Sequence, residues 1–289
     1  MITIRPAKGS DKDEILRFCV NTFSWGDYIN RVWDYWYADK NGQLFVGESD
    51  SGEKIAMSHV TICPEGKGVW LEGVRVRSDH RRSHVATMLL TKMLEYGKHK
   101  GTREASAIVD ATNLASQSMM EKNGFRIISK WKYCSAAGSP KCQESNARIA
   151  NAADIDDIWR YLQQSQLYWL SGKRYVKSWH WYPFDHTALL NFVKDDRVIV
   201  AGQPVNGVAI INRRGYWDRT NILQIVYLDI ASASSLRDLV SFITNLYLDG
   251  KFENLHLVCY DSKRVTSFIY KFIIKEEDQF LLYNKQFDS

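Results

Sequence analysis

One short stretch of this chain carries the groups needed to hold a phosphate-type anion. Trp70-Leu71-Glu72-Gly73-Val74-Arg75-Val76 reads as a strand, and Arg81-Arg82-Ser83-His84-Val85-Ala86 as a turn that opens a helix. A strand ending in such a turn directs several backbone N–H groups toward one point, where the helix dipole adds positive potential. That combination suits a pyrophosphate. Ser83 and Ala86 are small enough to let a phosphate approach the backbone, and Arg81 and Arg82 add charge at the rim. A solvated basic face explains the same residues, so the turn alone is a weak signal.

A second stretch makes the pattern specific. Asn113-Leu114-Ala115-Ser116-Gln117-Ser118-Met119-Met120-Glu121-Lys122-Asn123-Gly124-Phe125 follows the turn after one further strand. With both stretches in view, the sequence resembles the GNAT superfamily of acetyltransferases over about Ile2–Ala137. The family's loop, Arg/Gln-x-x-Gly-x-Gly/Ala, falls on Arg81–Ala86, with Arg81 and Ala86 in agreement and His84 in place of the usual glycine. Its late helix, Asn-x-x-Ala-x-x-Leu-Tyr-Glu-Lys-x-Gly-Phe, agrees at Asn113, Glu121, Lys122, Gly124 and Phe125.

The resemblance implies an acetyl-CoA-dependent N-acetyltransferase. Backbone groups of Val74 and Val76 would pair with the pantetheine arm like an added strand. The N–H groups of Arg82, Ser83, His84, Val85, Ala86 and Thr87 would hold the pyrophosphate, with Arg81 beside them. Asn113 would contact the pantetheine or order the strands beside it, or simply cap its helix; Ser116 joins it in the cofactor site. Glu72 stands where polyamine acetyltransferases carry a glutamate, which makes it the candidate general base. The alternative is a glutamate paired with Arg75. Met120 replaces the tyrosine that commonly protonates the departing thiolate, so Tyr133, Tyr28, Ser116 or solvent would have to serve.

The elements that must position these groups alternate along the first half. The expected order is a strand at Ile2–Arg5, helices from Ser10 and at Tyr28–Tyr37, and strands at Leu44–Glu48, Lys54–Ile62 and Val69–Val76. A helix over Ser83–Lys100 follows, with Val85, Met88, Leu89 and Tyr96 on one face, then a strand at Ala105–Val109, a helix at Asn113–Lys122 and a strand at Gly124–Tyr133. This is an α/β (α+β) order, for which the resemblance implies a mixed, mostly antiparallel sheet flanked by helices.

The order then repeats. Ile4-Arg5-Pro6-Ala7 is matched by Ala147-Arg148-Ile149-Ala150, and later Ile222–Ile230, Leu236–Leu248, Leu255–Tyr260, Ser262–Phe272 and Phe280–Tyr283 follow the same succession. The expected division is residues 1–137, a linker at 138–145, and a degenerate copy at 146–289. The second copy lacks the loop, having Ala231-Ser232-Ala233-Ser234-Ser235 in its place. Its aromatic segment Tyr168–Asp185, with Trp169, Tyr175, Trp179, His180, Trp181 and Tyr182, corresponds to the substrate-side helices and is read as a pocket wall or as core.

Composition fits this reading. The 289 residues are 45% hydrophobic and 25% charged with net charge +5, too mild for nucleic-acid binding by itself. Five scattered cysteines without a Cys-x-x-Cys pair argue against a disulfide framework or a metal site. No apolar run suggests a membrane span, and a cytoplasmic enzyme acting on a small amine or amino acid is expected. A protein N-terminal or lysine acetyltransferase and a non-catalytic acyl-CoA sensor are the alternatives.

Overall fold

A computed structural model of the chain describes residues 1–20, 22, 26–63, 67–137, 144–213 and 221–287. Trp25, Cys142 and the linker residues 138–143 lie outside the described residues. In chain order the elements are β1 (Ile2–Pro6), α1 (Lys12–Cys19), α2 (Ile29–Tyr37), β2 (Gly42–Ser49), β3 (Lys54–Ile62), β4 (Gly68–Val76), α3 (Val85–His99), β5 (Glu104–Asp110), α4 (Leu114–Lys122) and β6 (Arg126–Ala137). There follow β7 (Arg148–Ile149), α5 (Ile155–Gln164), α6 (Gln166–Leu170), β8 (Arg174–Lys177), β9 (His180–Pro183), α7 (His186–Lys194), β10 (Val198–Ala201) and β11 (Gly207–Asn212). The chain closes with β12 (Ile222–Ile230), α8 (Ala233–Asp249), β13 (Asn254–Tyr260), α9 (Lys263–Ile269) and β14 (Ile273–Gln286).

The chain forms two compact units, one of Met1–Val109, Asn113–Ile127 and Leu282–Ser289, the other of Asp110–Thr112 and Ile128–Leu281. Nearly all of β6 therefore belongs with the second unit, and the end of β14 with the first. In the first unit the strands run β1-β2-β3-β4-β5, antiparallel up to β4 and parallel between β4 and β5. The end of β14 follows β5, held by Asn284 on Ser106 at 3.0 Å and by Phe287 N–H on the Arg103 carbonyl at 2.8 Å. The second unit runs β7-β10-β11-β12-β13-β6-β14, with β12 and β13 as its parallel pair.

Helical spacing explains the cover of the first sheet. In α2, Ile29, Val32, Trp33 and Trp36 recur at positions i, i+3, i+4 and i+7, and all four are buried. The buried stripe of α3 is Val85, Leu89, Leu90, Met93 and Gly97. Met88 and Tyr96, expected on that face, lie at its half-buried edge.

The duplication is legible in one side-chain device. Arg5 clasps Asp11 through Nη1–Oδ2 (2.8 Å) and Nη2–Oδ1 (2.9 Å), and Asp11 also accepts from the Lys8 N–H at 2.7 Å. In the second unit Arg148 clasps Asp154 at 2.6 Å through both nitrogens, and Asp154 accepts from the Asn151 N–H at 2.8 Å. The bidentate fork fixes where the first strand hands over to the first helix.

The two clasps differ in exposure. Asp11 is 1% exposed, whereas the Arg148 side chain is 43% exposed. Burial pushes the Asp11 carboxyl up, but the Arg5 bonds and the Lys8 N–H outweigh it and hold the group below its ordinary value. Its stabilising contribution is thus present at neutral pH and lost as pH falls through the lowered value. Asp11→Asn is expected to cost about 2 kcal/mol, less than a fully buried pair because Arg5 keeps Glu48. Asp154→Asn should cost about 0.5 kcal/mol. Urea midpoints of the two variants check this, and the reverse order would contradict it.

The aromatic segment of the second unit is not a pair of helices. After the short α6 it forms the hairpin β8–β9, whose two-residue turn Ser178-Trp179 has φ of 52° and 65°. Two left-handed residues in succession are what a tight hairpin turn requires, and neither residue type announces it. Trp181 is buried against Trp131, Trp179 packs on Tyr133 and Phe280, and Tyr175 stacks on Tyr182. Trp169 is exposed, with the Lys173 ammonium 3.7 Å from its ring centre. Apart from Trp169, these rings pack within their own unit.

Candidate active site

The central strand of the first unit departs from regular pairing twice. Its parallel ladder with β5 covers Gly68–Trp70 and Glu104–Ser106, while β4 itself continues to Val76. On its other side, Met57 pairs with Arg75 and His59 with Glu72, so Gly73 and Val74 together face the single residue Ser58. This is a β-bulge carried by β4, with Gly73 at φ 69°. A Cβ on Gly73 would lie 2.5 Å from Cζ3 and 2.7 Å from Cη2 of Trp36. Glycine is required here both by the backbone angle and by the tryptophan beneath it.

The turn after β4 has unusual backbone angles. Arg82 and His84 adopt φ of 65° and 62°, and Arg81–His84 are all exposed. Left-handed residues alternating into a right-handed helix turn successive N–H groups toward one concavity, an anion-binding arrangement. They also delay the helix, which starts at Val85 and not at Ser83. His84 is its N-cap, and its side chain accepts no capping hydrogen bond. Ser83 Oγ donates to the His80 carbonyl, and Arg81 Nε donates to the Val76 carbonyl at 3.3 Å, which ties the turn to the end of β4.

The corresponding helix of the second unit is closed. Ser232 Oγ accepts from the Ser235 N–H at 3.1 Å, and Ser235 Oγ accepts from the Ser232 N–H at 3.1 Å. This capping box occupies two of the N–H groups at the start of α8, those of Ser232 and Ser235. His84, which departs from the family's glycine, stands in the conformation that glycine adopts without cost. His84→Gly is accordingly expected to stabilise the protein by about 0.5–1 kcal/mol. A thermal midpoint that falls would contradict this.

Glu72 is half-buried, its side chain 14% exposed, and Oε1 lies 2.9 Å from Nδ1 of His59 across the strand pair. His59 is 1% exposed, stacks on Trp36 at 4.8 Å and 7° between planes, and brings Nε2 to 3.5 Å from Asp39 Oδ2. That last distance is an ion contact, longer than a full hydrogen bond. Burial pushes the His59 ring down, but the two carboxylates more than offset it and raise it above its usual value of 6.5. Its contribution to stability is complete below that value and fades as pH rises through the raised one. Burial likewise pushes Asp39 up, and His59, Thr61 and the Asn41 N–H bring it down to about 2.

Sequence reasoning missed His59 and Asp39. The available signal was a lone histidine among Ala56, Met57, Ser58 and Val60, which becomes meaningful only when the hairpin register sets it opposite Glu72. Arg75, the other partner considered for Glu72, is clasped by Asp27 at 2.7 and 3.1 Å and lies over the Tyr28 ring.

Residues 13–125 match the acetyltransferase (GNAT) family. That segment is a GNAT acetyltransferase domain. The whole chain has the fold of several solved structures. A GCN5-related N-acetyltransferase from Sphaerobacter thermophilus superposes with TM-score 0.66 at 13% identity, over 99% of this chain and 95% of that one. A tandem GNAT protein from the clavulanic acid biosynthesis pathway gives TM-score 0.56 at 10% identity, each chain covered in full (100%). A GCN5-related glucosamine N-acetyltransferase region of a fungal multi-domain GH3 β-N-acetylglucosaminidase gives 0.66 at 12% identity, over 99% of this chain and 38% of that one. At such identities these likenesses establish the fold alone. No curated protein matches the sequence significantly.

In the GNAT domain the second motif lies where the sequence put it. Asn113 caps α4, accepting from the Ser116 N–H at 3.0 Å. Gly124 has φ 81° and ends the helix, and Met120 is buried. Of the proton donors considered, Tyr28 is packed against Trp36 and Arg75 in this unit. Tyr133 belongs to the second unit, where it packs on Trp179 and His256. Among the described residues no cluster of three or more His, Cys, Asp or Glu could hold a metal ion, and no helix is long and apolar enough to cross a membrane.

Proposed function

We propose that the GNAT domain transfers the acetyl group of acetyl-CoA to a primary amine of a small molecule or amino acid, by direct attack while both are bound. The observation that carries this reading is the uncapped start of α3 behind the left-handed residues Arg82 and His84. It offers backbone donors to a pyrophosphate, and in the second unit two donors at the corresponding helix start, the N–H groups of Ser232 and Ser235, are taken by its own serines.

In this reading the N–H groups of Arg82, Ser83, His84, Val85, Ala86 and Thr87 hold the pyrophosphate, with the Arg81 guanidinium at its rim. The backbone of Val74 and Val76 receives the pantetheine arm along β4, and Asn113 and Ser116 border it. Acetyl-CoA supplies the activated thioester. Glu72 takes one proton from the ammonium form of the substrate, which leaves a neutral amine with a lone pair for attack. Met120 has no proton to give, so the departing thiolate relies on solvent or on its own modest basicity. No nucleic acid, membrane or metal enters the scheme, and the cytoplasm is the compartment assigned.

Incubation with radiolabelled acetyl-CoA and a panel of polyamines, amino acids and peptides tests the proposal. Label on a small amine is the expected result. Label confined to peptide N-termini or lysines would replace the small-molecule reading with protein acetylation. CoA binding without any transfer would make the domain an acyl-CoA sensor.

A further inference from the structure

We propose that His59 is a positioning residue for Glu72 and that Asp39 anchors it from the other side. The three form one carboxylate–imidazole–carboxylate chain from β4, across β3, to the end of α2. The inference rests on the role of Glu72 as the base, and it adds the residues that aim that base and fix its charge.

The geometry allows the imidazole little freedom. Its Nδ1 meets Glu72 at 2.9 Å and its Nε2 faces Asp39 at 3.5 Å, on opposite edges of the ring. One face of the ring is covered by Trp36. A Cβ on Gly42 would fall 2.8 Å from Nε2 and 2.3 Å from Asp39 Oδ2, so β2 closes tightly behind the pair. Asp39 is itself oriented by the Asn41 N–H at 2.8 Å. Other charged or titratable groups near the chain are Tyr28 and the clasped Arg75–Asp27 pair beside Glu72, and Tyr96 near Asp39.

A buried imidazole whose Nδ1 bonds one carboxylate and whose Nε2 lies in ion contact with another is favoured in its charged form. The cation beside Glu72 favours its charged form and holds one oxygen still. When the substrate ammonium gives its proton to the Glu72 carboxylate, the Nδ1–H bond persists and the new acid keeps its orientation. The Glu72–His59 pair continues the register that runs from Ile62 and Val69, and the bulge at Gly73 and Val74 lies immediately beyond it.

Two measurements on the full chain test this. Imidazole 15N spectra, with His59 identified by its loss in His59→Gln, are recorded from pH 5 to 9 for wild type, Glu72→Gln and Asp39→Asn. The ring of His59 is expected to titrate above 6.5 in wild type and at least about 0.5 unit lower in each variant. Titration of His59 at or below 6.5 in wild type, or titration indifferent to both changes, overturns the proposal. The second measurement is kcat/KM against pH with an amine that wild type acetylates. His59→Gln should move the acid limb up by about 1 unit, because a cation next to the base has gone. The partly exposed Asp39→Asn, which leaves the core intact, should move it in the same direction. A lower plateau with an unmoved limb would mean a purely structural histidine. If wild type turned over no amine, the functional reading would fall by itself, and the 15N titration would still decide whether His59 and Glu72 are coupled.

Discussion

Glu72→Gln is expected to slow acetyl transfer by about 10²–10³-fold at pH 7, with CoA affinity unchanged. An amine of pKa about 10 is neutral in roughly one molecule in 10³ at that pH. A site without a base must wait for that fraction, and its rate should climb about tenfold per pH unit until the amine is fully neutral. The wild-type profile should be flatter across the same range, since Glu72 removes the proton in place. Glutamine keeps the shape and can still accept from His59, so the change isolates the charge. Binding should survive because the cofactor is gripped by main-chain N–H groups of the turn and α3, which the substitution does not touch. An unchanged profile of rate against pH would remove Glu72 from the base role.

Gly73→Val should be the most damaging single change to the first unit, lowering stability by about 3–4 kcal/mol. Two costs add. A β-branched residue at φ 69° is strained by about 1–2 kcal/mol, and the new side chain would overlap the Trp36 ring, where a Cβ alone already falls 2.5 Å away. Either the bulge straightens and takes Glu72 out of register with His59, or Trp36 moves and uncovers the imidazole. Gly73→Ala carries the same strain with less overlap and should cost about 2 kcal/mol. A shorter ring at position 36 should then recover part of the loss, so a double-mutant cycle of Gly73→Ala with Trp36→Phe is expected to show coupling of about 1 kcal/mol. Additive effects would mean that the tryptophan does not dictate the glycine.

Much of this site is written locally and can be read without a structure. A strand, a turn with Arg and small residues, and an amphipathic helix are short-range patterns, as is an Asn followed by Gly-Phe at the end of α4. The positive φ of Arg82 and His84 is not written there, because neither residue type favours it, and the helix therefore starts later than its composition suggests. His59 and Asp39 escaped for a different reason. Their meaning depends on which residues face each other across β3 and β4, a pairing that no short-range pattern encodes. In the second unit, the hairpin β8–β9 resembled helix because its aromatics carry no clear period. The start of β14 was hidden by the run Lys275-Glu276-Glu277-Asp278, which belongs to an exposed strand surface. The repeat itself was legible from the order of its elements and the match of Ile4–Ala7 with Ala147–Ala150, and the Arg5–Asp11 and Arg148–Asp154 clasps add a shared geometry that the sequence match does not use.

A crystal structure of the full chain grown with acetyl-CoA would put the decisive atoms in view. We expect one cofactor per chain, its two linked phosphates within about 3 Å of main-chain nitrogens between Arg82 and Thr87, and its pantetheine beside Val74 and Val76. Density for the phosphates at the serine-capped start of α8, or an empty α3 turn at saturating ligand, would contradict the account.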